Sequence, residues 1–173
     1  MNGFLTSLIA ILTLILPISS FAQRISPSDF DSDGLSDFVL INANSNVLSW
    51  SAVKPDGSSQ QDLGQFGRLG HQIALGDYLG LPIPQPATVA ESKGKLVWRI
   101  FHNGASTAKE FGLTGETALA GGDFNGDGIL DATVVEVGGK KLVWKIHPSL
   151  FTNSSAAPLQ ITFGQSKDLF LFS

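Results

Sequence analysis

The stretch KLVWRIFHNG, Lys95 to Gly104, returns as KLVWKIHPSL, Lys141 to Leu150, with its first four residues unchanged. A looser copy, NVLSWSAVKPDG, runs from Asn46 to Gly57. Trp50, Trp98 and Trp144 are 48 and 46 residues apart, and Asp29, Asp77 and Asp123 keep the same two spacings. The segments FGRLGHQIALGDY (66–78) and EFGLTGETALAGGDF (110–124) share Phe-Gly, then Gly, then small apolar residues, then Gly-Asp. The Phe-Gly pair comes a third time in QITFGQSKDLFLFS (160–173), so a unit of about 47 residues occurs three times and runs into the first strand of what would be a fourth.

Each unit has a short-range pattern of strands. ETALAGGDF alternates, DATVVEV is rich in Thr and Val, a Gly-Gly-Lys turn leads to KLVWKIHPS, and PLQITFG completes the set. Short runs bounded by Gly, Pro, Asn and Ser predict a four-stranded antiparallel sheet. No stretch after residue 22 keeps a helical period. A four-stranded unit repeating every 40 to 50 residues or so is the pattern of a β-propeller blade. A sandwich, the competing all-β arrangement, does not require tryptophans at a fixed period. The expected fold is therefore all-β, about three four-stranded propeller-type blades over residues 23–70, 71–117 and 118–173, forming a partial propeller or an assembled ring.

Two nine-residue stretches carry most of the acidity: DFDSDGLSD (29–37) and DFNGDGILD (123–131). The chain has 15 acidic and 11 basic residues, net −4, and seven of the acids lie in these two stretches. Elsewhere bases outnumber acids, and two divalent cations would neutralise the chain. Carboxylates at alternate positions raise one another's pKa unless a cation compensates them. Calcium takes about 6–8 oxygen ligands, and alternation in a tight, glycine-permitted turn aims several oxygens at one centre. The expected ligands are Asp29, Asp31, Asp33, the Leu35 carbonyl and Asp37 in the first loop. In the second they are Asp123, Asn125, Asp127, the Ile129 carbonyl and Asp131. The bland reading, a solvated Asp/Gly turn, does not explain two copies in phase with the tryptophans. Magnesium demands stricter octahedral geometry, and zinc is disfavoured by the lack of Cys and nearby His. In the middle unit, GDYLGLPIPQPATVAES keeps Asp77 but puts Leu79 and Leu81 where ligands should stand, with Pro82, Pro84 and Pro86 stiffening the connection instead.

These runs, FGRLGHQIALGDY, SDFDSDGLSDFVLI and GGDFNGDGILDATVV, resemble the FG-GAP or VCBS repeats of secreted bacterial proteins, a motif also found in the propeller of integrin α subunits. The resemblance spans nearly all of residues 23–173 and is specific in two of the three copies. It implies that each nine-residue loop joins the first two strands of a blade and binds calcium. It also implies a module that contacts proteins or glycans through its loops. Two departures stand out: the middle loop has lost its ligands, and three units fall short of the usual seven-bladed ring.

Function is bounded further by what precedes and surrounds the repeats. Residues 1–22, with an apolar run from Phe4 to Leu16, Pro17 and then Ser20-Phe21-Ala22, read as a secretory signal cleaved after Ala22. The alternative is an uncleaved anchor, but the run is shorter than the roughly 20 residues needed to span a bilayer. This places the protein outside the cell, in the periplasm or at the cell surface, with no stable membrane span after cleavage. No cysteine is present, so neither a disulfide framework nor lipidation at Cys is available. No basic stripe invites nucleic acid. The histidines, His71, His102 and His147, fall in no recognised catalytic order. His102 and His147 are expected on the surface at the end of a third strand. The expected function is a calcium-binding, non-catalytic module for adhesion to an extracellular protein or glycan. The alternatives are a propeller-type polysaccharide hydrolase or lyase, or a fragment acting only in an assembled propeller. Open sheet edges would be covered by the N-terminal segment, by a second copy completing a ring, or by further chain.

Overall fold

A computed structural model describes residues 28–153 and 155–168. The expected leader and residues 169–173 of the expected last strand lie outside them. The described chain is all-β, with no helix, and hence none long and apolar enough to cross a membrane. It forms three small antiparallel sheets. The first holds β1 (Phe38–Asn44), β2 (Val47–Val53) and β3 (Gln60–Arg68). The second holds β4 (Gln72–Ile73), β5 (Ala87–Ser92), β6 (Lys95–His102) and β7 (Ala105–Leu113). The third holds β8 (Thr117–Leu119), β9 (Ala132–Gly138), β10 (Lys141–His147) and β11 (Leu159–Gln165). Each is a meander of sequential neighbours. The first sheet shows three strands where the repeat predicts four; the counterpart of β4 and β8 would precede Asp29, outside the described residues.

The hairpins follow from their turn residues. Lys93-Gly94 and Asn103-Gly104 have positive φ at both positions, 51° with 80° and 51° with 74°. That is the turn geometry whose twist matches the flanking strands.

The two repeat markers, tryptophan and Phe-Gly, are parts of one device. The Trp50 indole N–H donates to the Phe66 carbonyl at 2.7 Å, Trp98 to Phe111 at 2.9 Å, and Trp144 to Phe163 at 2.9 Å. The middle strand of each sheet thereby pins the bulged end of its outer strand, where the chain leaves for the next sheet. The glycine is required there by space as well as by backbone. A Cβ on Gly67 (φ +82°) would come within 2.8 Å of Thr88 Cγ2 in the second sheet, and one on Gly112 (φ +98°) within 2.9 Å of Val134 Cγ1 in the third.

Two cores result. Leu48, Trp50 and Phe66 of the first sheet pack with Phe101 of the second. Val89, Leu96, Trp98 and Ile100 of the second sheet pack with Ala132 and Val134 of the third, and with Tyr78 and Leu150 from loops. Trp50 and Trp98 are buried, whereas Trp144 is half-exposed. His102 is half-exposed at the end of β6. His147 is a correction: it ends β10 but is buried, its ring edge-on to Phe111 at 5.4 Å. Sequence spacing placed it at a strand end without showing that a neighbouring sheet covers that end.

Candidate metal centre

The two acidic loops lead directly into β1 and β9, and they are tied by the same hydrogen bonds. At the first position, Asp29 accepts from the N–H of Asp33 (3.2 Å) and of Gly34 (3.0 Å). Asp123 accepts from Gly126, Asp127 and Gly128 at 2.6, 3.1 and 2.8 Å. At the third position, Asp31 accepts from Asp33 N–H at 3.2 Å and Asn125 from Asp127 N–H at 2.9 Å. At the fifth, Asp33 accepts from Leu35 N–H and Asp127 from Ile129 N–H, both at 2.9 Å. At the ninth, Asp37 accepts from Phe30 N–H at 2.9 Å and Asp131 from Phe124 N–H at 2.8 Å. Each side chain thus uses one face to hold the backbone turn and keeps further lone pairs for another partner.

In the first loop those lone pairs converge. Asp29, Asp31 and Asp37 each present an oxygen, all within 4.8 Å of one another. Ligands on opposite sides of one calcium ion stand about 5 Å apart, twice the Ca–O length, so this trio fits a single ion. Asp29 and Asp37 are buried while Asp31 is exposed, which leaves the centre open on one side. Asp33 is not one of the trio. Lys54 Nζ lies 2.9 Å from Asp33 Oδ2 and 2.6 Å from Asp31 Oδ2. The hydrogen bond from Lys54 holds Asp33 below the usual carboxylate range, and those from Asp31 and Asp33 push Lys54 above the usual ammonium range.

The second loop does not gather three acidic oxygens in this way among the described residues. Its ninth-position carboxylate, Asp131, is fully buried and accepts a second N–H, from Ser149, at 2.9 Å. The Ser149 hydroxyl donates to Asp127 at 2.5 Å, and the Asn125 amide donates to the same Asp127 oxygen at 3.0 Å. Burial pushes the Asp131 carboxyl above the usual range; the N–H groups of Ser149 and Phe124 oppose this, and the charges of Asp127 and Asp123 add to it. Burial also works against ionisation of Asp127, but hydrogen bonds from Ser149, Ile129 and Asn125 outweigh it and hold the group below its ordinary value. The expected ligand set is therefore split. Asp29, Asp31 and Asp37 come together, Lys54 pairs with both Asp31 and Asp33, and Asp123, Asn125, Asp127 and Asp131 share a turn whose oxygens are partly taken by Ser149.

The middle loop closes the same turn without a carboxylate at its ninth position. Asp77 holds its turn as Asp29 and Asp123 do, accepting from Leu79 N–H at 3.0 Å and Leu81 N–H at 3.1 Å. The ninth position is Gln85, almost fully buried. Its Oε1 accepts from Tyr78 N–H at 2.9 Å, as Asp37 does from Phe30 and Asp131 from Phe124. Its Nε2 donates to the carbonyl of Ile83, the seventh position. Leu35 and Ile129 hold that position in the acidic loops. A neutral amide both closes the turn and satisfies the carbonyl that a cation would otherwise draw. Sequence reading missed Gln85, Lys54 and Ser149. Gln85 was findable by phase, because it follows Asp77 by the spacing that separates Asp37 from Asp29. Lys54 and Ser149 reach their loops from the far ends of β2 and β10, and no spacing points to them.

No family model, no curated protein and no solved structure matches this chain. The family reading therefore rests on the repeats and the loops alone.

Proposed function

We propose that this chain is a secreted, calcium-stabilised, non-catalytic binding module built of propeller-type blades of the FG-GAP or VCBS kind, which adheres to an extracellular protein or glycan. The observation that carries it is the contrast among three turns of one design. Two turns hold carboxylates at the ninth position, and the third replaces carboxylate by a neutral amide that supplies its own hydrogen-bond donor to the seventh-position carbonyl. The replacement makes sense where the carboxylate loops work with a cation and the amide loop works without one.

Asp29, Asp31 and Asp37 would hold the first ion. Asp123, Asn125, Asp127 and Asp131 would hold the second, with Ser149 ceding part of its claim. Bound calcium supplies positive charge that fixes the turn entering β1 or β9. The test is thermal unfolding with calcium and with a chelator. An ion that binds only the folded state at a hundred times its dissociation constant adds about 2.7 kcal/mol. At about 2–4 °C per kcal/mol for a domain of this size, that is a rise of roughly 5–10 °C. Asp31→Ala, which removes an exposed ligand, should abolish part of the rise. A melting temperature indifferent to calcium would overturn the proposal.

A further inference from the structure

The contact between neighbouring sheets is made twice within this chain, by the same parts each time. Phe66 stacks on Phe101 with centroids 5.3 Å apart, while Gly67 lies against Thr88. Phe111 meets His147 edge-on at 5.4 Å, while Gly112 lies against Val134. Phe101 and His147 each come three residues after the repeat tryptophan, and Thr88 and Val134 each come three residues after the ninth loop position. One side of the contact is therefore a Phe-Gly pair at the end of an outer strand. The other side is a fixed pair of positions on the next sheet.

Among the described residues, each half of this contact is left once without its counterpart. The third sheet ends in Phe163-Gly164, with Gly164 again at positive φ, +88°. Phe66 is 8% exposed where the second sheet covers it, whereas Phe163 is 72% exposed, with Ile161 beside it at 51%. The first sheet carries the receiving positions, which by the same count are Val53 and Leu40. Leu40 is 53% exposed, and Phe38, two residues earlier on the same face of β1, is 62% exposed. A groove of about 680 Å³ lies over that face, between Leu40, Asn42, Ser51 and Asp62.

We infer that a second copy of this chain docks head to tail, with Phe163-Gly164 of one copy seated on Leu40 and Val53 of the other. The occupant follows from continuity: the surface fits what the chain already packs against itself twice. The two patches are different surfaces, so the contact is heterologous and either closes or runs on. On the propeller reading proposed above, two copies of the three sheets among the described residues stay within the roughly 4–8 blades of a closed ring, whereas three copies exceed them. The inferred assembly is a closed pair in which both contacts are made. The competing occupant is residues 169–173 folded over Phe163 of their own chain, which would leave a monomer.

Sedimentation velocity and light scattering on the purified chain, over the micromolar range and with or without calcium, test this. The expected mass is that of two chains. Phe163→Asp and Leu40→Asp should each weaken association about tenfold or more, the loss of one interface anchor. Leu69→Asp, at an exposed leucine outside both patches, should leave the mass unchanged. A single cooperative melt of each monomeric variant, lower than the wild type's by no more than the lost association explains, shows that it still folds. A wild-type monomer at every concentration, an open series of larger species, or sensitivity to only one of the two patches would each overturn the inference. Mass is read apart from melting temperature, so the pair can fail while the calcium reading stands, and the reverse.

Discussion

Gln85→Glu is the sharpest perturbation of the middle loop, because it changes one group and almost no volume. The Oε1 that accepts from Tyr78 N–H is kept, but the Nε2 donor to the Ile83 carbonyl is lost. Above its pKa the new carboxylate is a buried charge facing a carbonyl, at a residue 1% exposed. An orphaned buried acceptor costs about 1–3 kcal/mol, and the uncompensated charge adds to it. A total of about 3–4 kcal/mol would lower the melting temperature by roughly 6–16 °C. Burial raises the folded-state pKa of the glutamate above its unfolded value of about 4.3. The protonated form can donate to Ile83 as the amide does. The variant should therefore match the wild type below about pH 4 and fall behind as pH rises through the folded-state value. The assay is a series of melts on both proteins from pH 4 to 8 in chelator. Calcium should not rescue the variant, since Leu79 and Leu81 offer no side-chain ligands. A variant that melts within about 2 °C of the wild type at pH 8, a cost under about 1 kcal/mol, would refute the account of Gln85 as a neutral stand-in.

Two other outcomes follow from the same geometry. Lys54→Gln removes the ammonium that pairs with Asp31 and Asp33, so calcium titration should show tighter binding at the first loop; unchanged affinity would mean that Lys54 does not compete with the ion. Gly112→Ala forces a Cβ to 2.9 Å from Val134 Cγ1 at a φ of +98° and should cost about 1–3 kcal/mol, read as a lower urea midpoint at constant slope.

The repeat was legible because its markers are chemically committed. The indole of Trp98 cannot be buried without a partner for its N–H, and the Phe111 carbonyl provides it. Tryptophan and Phe-Gly therefore had to recur in phase wherever the sheet recurred. The all-β class and the order of strands followed from that phase and from turn residues. The burial of His147 was not legible, because it depends on Phe111 of a neighbouring sheet and not on the local pattern around residue 147. The same holds for the acidic loops. Spacing placed four side chains in each turn, but which of them remain free depends on Lys54 and Ser149, which arrive from elsewhere in the fold.

All three turns face one electrostatic problem, and the solutions differ in kind. The backbone N–H of the second position needs an acceptor close to the point where the next strand begins. A carboxylate there is the stronger acceptor, but it brings a negative charge to a buried place, as at Asp37 and Asp131. That charge must then be neutralised by a bound cation, by a tethered ammonium or by donors from the same chain. The first loop has the tethered ammonium of Lys54 at its rim, and the second has the N–H and hydroxyl of Ser149. The third avoids the charge altogether. Among the described residues Lys54 pairs with Asp31 and Asp33, and no ion pair reaches the buried Asp29 or Asp37. A divalent ion placed among Asp29, Asp31 and Asp37 would supply their counter-charge, which makes the first loop the stronger candidate although each loop carries five expected ligands.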